Sequence, residues 1–126
     1  MNQNEFLKYL EPAFTCGGGG LYFKENLKET LDNQTTLRSI TKDMQDEVLG
    51  EDCWGNIEEE DWEKLKVHPI ETNQDCYDFF KLYLDRRSCA FPELCGIVVG
   101  AMIKENMFDE AIEFIGFQGE ELYWDS

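Results

Sequence analysis

PELCGIVVGAMIKEN, residues 92–106, contains the longest apolar run of the chain, Cys95 to Ile103. That run is about half the length a membrane-spanning helix needs, so it points to a core rather than a bilayer. Pro92 suits the first turn of a helix, where its missing amide is harmless. Leu94, Ile97, Val98, Ala101 and Met102 leave the segment apolar nearly all round, which predicts a central helix covered by its neighbours. Asn106 ends it.

The flanking segments supply helices to surround it. Downstream, Phe108, Ala111, Ile112 and Ile115 predict a last amphipathic helix stopped at Gly116, with residues 120–126 as a tail. Upstream, Thr72 and Asp75 form a capping box with Asp in place of Glu. Behind that box, Cys76, Phe79, Phe80, Tyr83 and Leu84 form a broad apolar face ending at Arg86-Arg87, charges that suit a helix C-terminus. Val67-His68-Pro69-Ile70 is a connector, because the residue before proline avoids helical geometry. Ile57, Trp62 and Leu65 predict a short, very acidic helix after a loop around Cys53 and Trp54. Thr36 caps a helix through Leu37, Ile40, Met44 and Val48, which ends before Gly50.

The N-terminal part is read in the same way. Asn4 caps a first helix through Phe6, Leu7 and Leu10, with Pro12 near its end. Gly17-Gly18-Gly19-Gly20 reads as a flexible break. Leu27 and Leu31 share a helical face in the segment that follows, whose opening Leu21-Tyr22-Phe23 reads equally as a short strand. The expected fold is all-α, a compact helical bundle or array of five to seven helices, with that minor strand as the alternative. A length of 126 residues predicts one domain over 1–126, and no internal repeat specifies a solenoid.

Charge narrows the function classes. The chain carries 27 acids against 11 bases, a formal net charge of −16. A soluble domain of this length needs a magnitude of only about 2–8, and the excess opposes folding by self-repulsion. Direct binding of nucleic acid or an anionic membrane is disfavoured, and a cationic protein is the natural complement. With 13% aromatic residues the chain is too rich in rings for a disordered acidic tail. The excess is regional. The first fifty residues carry eight acids and five bases, residues 51–71 eight and two, and residues 72–126 eleven and four.

Two stretches hold most of it, and they are the candidate partner-binding residues. The first contains Glu51, Asp52, Trp54, Glu58, Glu59, Glu60, Asp61 and Trp62, followed by Glu63. The second contains Asp109, Glu110, Glu113, Glu120, Glu121, Tyr123 and Trp124, after the last base of the chain, Lys104. Solvated faces often look like this. Here, however, the acids lack helical i,i+4 pairing with bases, and the interleaved Trp and Tyr are favoured interface anchors.

No motif assigns an enzyme. His68 is the single histidine, and no local signature joins it to a cysteine as a nucleophile pair. Cys89 and Cys95 are too widely spaced for the tight turn of structural zinc. No Gly-Lys-Ser/Thr follows the four glycines, and no acidic stretch has the ligand order of an EF-hand. The chain is therefore read as a binding protein without catalytic residues, cofactor or metal. Residues 1–10 do not read as a secretory signal, and the odd, irregular set Cys16, Cys53, Cys76, Cys89 and Cys95 reads as reduced thiols. Both point to the cytoplasm.

In size, charge, cytoplasmic composition and lack of catalytic motif, the chain resembles the small acidic immunity proteins of bacterial toxin systems, including contact-dependent growth inhibition. It is also similar to phage-encoded nucleic-acid mimics and anti-defence inhibitors. The resemblance is one of overall character and transfers no family residue to a position here. It implies a cytoplasmic inhibitor that neutralises a cationic toxin, a nuclease in the leading reading, by covering its active site. The alternatives are a phage-encoded mimic or anti-defence inhibitor, and a small enzyme using His68 and a cysteine.

Overall fold

In a computed structural model, residues 2–15, 19–48, 59–86 and 92–115 are described. They form α1 (Gln3–Tyr9), α2 (Glu11–Phe14), α3 (Gly19–Asp32), α4 (Leu37–Val48), α5 (Glu59–Lys66), α6 (Asn73–Arg86), α7 (Pro92–Lys104) and α8 (Phe108–Ile115). The architecture is all-α, and no strand occurs among the described residues. Among the described residues, seven of the eight helical segments run seven residues or more, within the expected five to seven helices, and the eighth, α2, is a single turn with Pro12 at its second position. The chain groups into two compact units. Residues 1–35 and 91–126 make one, containing α1–α3, α7 and α8, and residues 36–90 make the other, containing α4–α6.

Local signals account for most helix ends. Thr72 and Asp75 form the expected reciprocal box: the Asp75 amide donates to Thr72 Oγ1 and the Thr72 amide to Asp75 Oδ2, each at 3.1 Å. Thr36 does the same with Ser39, at 3.1 and 3.0 Å. Pro92 is the first residue of α7. Asn106 ends that helix in the left-handed region at φ 59°. Its amide donates to the Ile103 carbonyl at 3.0 Å and that of Met107 to Met102 at 2.9 Å, the Schellman pattern. Met107 thereby also starts α8, since its carbonyl accepts from Ala111 at 3.0 Å.

Two N-terminal expectations change and one open alternative is decided. The cap of α1 is Asn2 rather than Asn4: its Oδ1 accepts from the Glu5 amide at 2.9 Å and its Nδ2 donates to the Glu5 carboxylate at 3.1 Å. Glu5 lies three residues after Asn2, so both of its polar groups meet the Asn2 side chain there. Gly19 and Gly20 are buried residues of α3, not a break, and Leu21–Phe23 is helix, not strand. Each glycine gives up about 1 kcal/mol of helix propensity, and burial of Phe23, Leu27 and Thr30 along α3 outweighs it.

The central position of α7 holds within its unit, where it lies along α3 and also meets α8. Leu94, Val98, Val99, Ala101, Met102 and Ile103 are buried, while Ile97 is half-exposed. Two glycines set the approach of the helices. A Cβ on Gly96 would lie 2.5 Å from the Phe23 carbonyl oxygen, and one on Gly100 2.9 Å from that of Leu27. Lys104 continues the series: its Nζ donates to the carbonyls of Thr30 at 2.6 Å and Asn33 at 3.0 Å, capping α3. Because the partners advance together along both helices, α3 and α7 run parallel. Lys104→Met keeps the aliphatic stem but removes the cap, and is expected to cost about 1 kcal/mol by urea denaturation. An unchanged midpoint would show that water serves those carbonyls equally well.

In the unit of α4–α6, Leu37, Ile40, Met44, Leu65, Cys76, Phe79, Phe80 and Tyr83 are buried as their spacing predicts. Gln45 ties α4 to the end of α5, donating through Nε2 to the carbonyls of Leu65 at 2.8 Å and His68 at 3.0 Å.

Candidate functional site

The described parts of the two acidic stretches lie on α5 and α8, one in each unit. On α8, burial of Ala111 and Phe114 decides which way the acids face. Asp109 and Glu113 are exposed and Glu110 half-buried, and the helix contains no base. The inner face differs slightly from expectation: Phe114 is buried, whereas Phe108 and Ile112 are half-buried. Phe108 still meets the unit's core, its ring 5.0 Å from that of Phe6.

On α5, Leu65 is buried, Glu60 and Glu63 are exposed and Asp61 is half-buried. The expectation that the acids lack i,i+4 bases fails at Glu60, which stands four residues before Lys64, and Lys66 Nζ lies 3.3 Å from Glu63 Oε1, an i,i+3 contact between exposed side chains. Such a pair is worth a few tenths of a kcal/mol, about 0.3–0.5. Glu59–Asp61 in α5 and Asp109–Glu110 in α8 occupy opening turns, where the helix dipole favours anions. Part of the pattern therefore serves helix formation. Glu113 lies beyond that turn.

Glu51, Asp52, Trp54, Glu58, Glu120, Glu121, Tyr123 and Trp124 lie outside the described residues, as do the side chains of Glu59 and Trp62. The candidate site is thus described at Glu60, Asp61, Asp109, Glu110 and Glu113.

The histidine and cysteines are placed as follows. His68 Nδ1 is 2.8 Å from the Pro69 carbonyl oxygen, and its ring stands edge-on to Phe79 at 5.9 Å. Cys76 is fully buried, and its Sγ donates to the Ile70 carbonyl at 3.7 Å. Burial pushes that thiol above its ordinary pKa, so it stays protonated and poorly nucleophilic at neutral pH. Cys95 is buried in the other unit. Among the described residues, no group of three or more His, Cys, Asp or Glu could hold a metal ion, and no helix is long and apolar enough to cross a membrane.

One feature of opposite sign escaped the reading of the sequence. A cleft of about 330 Å³ lies on α1–α3, lined by Leu7, Lys8, Glu11, Phe14, Thr15, Lys24 and Lys28. Lys24 and Lys28 are one helical turn apart, which the sequence displays, but their meeting with Lys8 depends on the fold. Comparison of the chain with protein-family models, curated proteins and solved structures returned no match.

Proposed function

We infer that the chain is an inhibitor of the immunity type, binding a cationic toxin, a nuclease in the leading case, through its acidic helices. The observation that carries this reading is the outer side of α8, where Asp109 and Glu113 are exposed beside Glu110 on a helix without a base. The net charge of −16 extends the same field over the molecule. Carboxylates presented in this way match the Lys and Arg that a nuclease uses to hold phosphates. Such a field accelerates encounter by about 10 to 1,000-fold at low salt. Trp54, Trp62, Tyr123 and Trp124 would supply the desolvated anchors in which binding energy concentrates.

The test is a pull-down from the native host with the purified chain, followed by activity assays of the cationic nuclease it captures, with an unrelated basic protein as control. Stoichiometric inhibition of the nuclease alone is expected. Association should slow about tenfold or more on moving from low to physiological salt, and Asp109→Lys with Glu110→Lys should slow it further. A salt-insensitive complex, or one untouched by charge reversal in both acidic stretches, removes the reading. Equal binding of the control protein would favour a nucleic-acid mimic instead.

A further inference from the structure

The cleft on α1–α3 gathers three of the chain's 11 bases, Lys8, Lys24 and Lys28, around a patch formed by Leu7 and Phe14. None of these three is in an ion pair among the described residues, whereas Lys42 pairs with Asp46 and Lys66 with Glu63. Glu11 is the one acid of the lining, so the cleft keeps an excess of positive charge. Converging ammonium groups repel one another, and a bound anion relieves that repulsion. The lining also has an aromatic component. Lys24 Nζ stands 6.0 Å from the centre of the Phe14 ring, and that ring lies 5.8 Å from Phe23 in the core. The volume sits at the lower edge of the range for small-molecule sites, about 300–1,000 Å³. That suits a ligand of one ring and one anionic group.

We propose that this cleft binds a small phosphate monoester with an aromatic body, its phosphate held by Lys8, Lys24 and Lys28 and its ring against Leu7 and Phe14. Lysine fits this role as a compact point charge with three donors. Three such charges match a phosphate dianion better than a single carboxylate. The proposal does not rest on the immunity reading, because its residues lie outside both acidic stretches.

The test is a titration of the full chain with phenyl phosphate, followed by amide NMR, with inorganic phosphate, phenol and matched sodium chloride as separate arms. Saturable shifts confined to α1–α3 are expected, with a dissociation constant in the millimolar range or below. Lys8→Gln with Lys28→Gln, both exposed positions, should weaken binding about tenfold while leaving the rest of the spectrum in place. Phe14→Leu should weaken phenyl phosphate but not inorganic phosphate. The proposal is overturned by shifts that fail to saturate, by equal effects of phenol or sodium chloride, or by inorganic phosphate binding as tightly as the ester. Full affinity in the double lysine variant overturns it as well.

Discussion

Gly96→Val is expected to destabilise the protein by about 3 kcal/mol, enough to lower its melting temperature by about 10 °C. A Cβ at this position would stand 2.5 Å from the Phe23 carbonyl oxygen, 3.0 Å from Asn26 Cβ and 3.1 Å from the Leu27 amide nitrogen. Two of those three atoms belong to the backbone of α3, so no rotamer change relieves the overlap. The helices must separate, and a radial gap of only 0.5–1 Å forfeits roughly a quarter to a half of each dispersion contact it opens. Better helix propensity offsets less than about 1 kcal/mol of this. Gly96→Ala should show the same sign with a smaller effect. Urea denaturation checks both, and a Gly96→Val midpoint equal to that of the parent would mean that α3 and α7 do not approach this closely.

Phe79→Ala is expected to cost about 3–5 kcal/mol through loss of buried area and the cavity left behind. Phe79 is fully buried on α6, edge-on to Phe80 at 5.3 Å and to His68 at 5.9 Å. The unit it belongs to has only three described helices, so few neighbouring side chains can collapse into the space. Phe79→Leu, which nearly conserves volume and apolarity, should cost under about 1.5 kcal/mol. The His68 ring protons report the same change, since they should move toward their exposed values when the neighbouring ring is removed. If the alanine variant lost less than about 1 kcal/mol, Phe79 would not be the packing element its burial implies.

The features legible in the sequence are those whose physics is confined to a few residues. The Thr72–Asp75 box and Thr36 as a cap depend on side chains reaching backbone groups one turn away, Pro92 at a helix start on its missing amide, and Asn106 at a helix end on its own left-handed backbone. The buried positions of α4 and α6 follow from apolar spacing along one helix. Asn2 is legible in the same way, because Glu5 stands three residues on, where its amide and carboxylate both meet the Asn2 side chain. The glycines depart from local expectation for a different reason. Local propensity makes Gly19 and Gly20 helix breakers, yet they are buried within α3, where packing outweighs propensity.

Charge divides along the same line. The sign and size of the net charge belong to composition, and so does its concentration after Gly50. Which carboxylates stand exposed on α8, and that Lys66 meets Glu63 on α5, follow from how each helix turns toward its neighbours. By itself the sequence determined an all-α fold class with most of its caps and inward faces, because these arise from interactions within one or two turns, and a strong negative field, because that is a matter of composition. Only the tertiary structure decided that Gly96 and Gly100 admit α3 to backbone contact, and that Lys8 joins Lys24 and Lys28 around one cleft. Those meetings join residues far apart in the chain, whose approach is set by the packing of whole helices rather than by any local pattern.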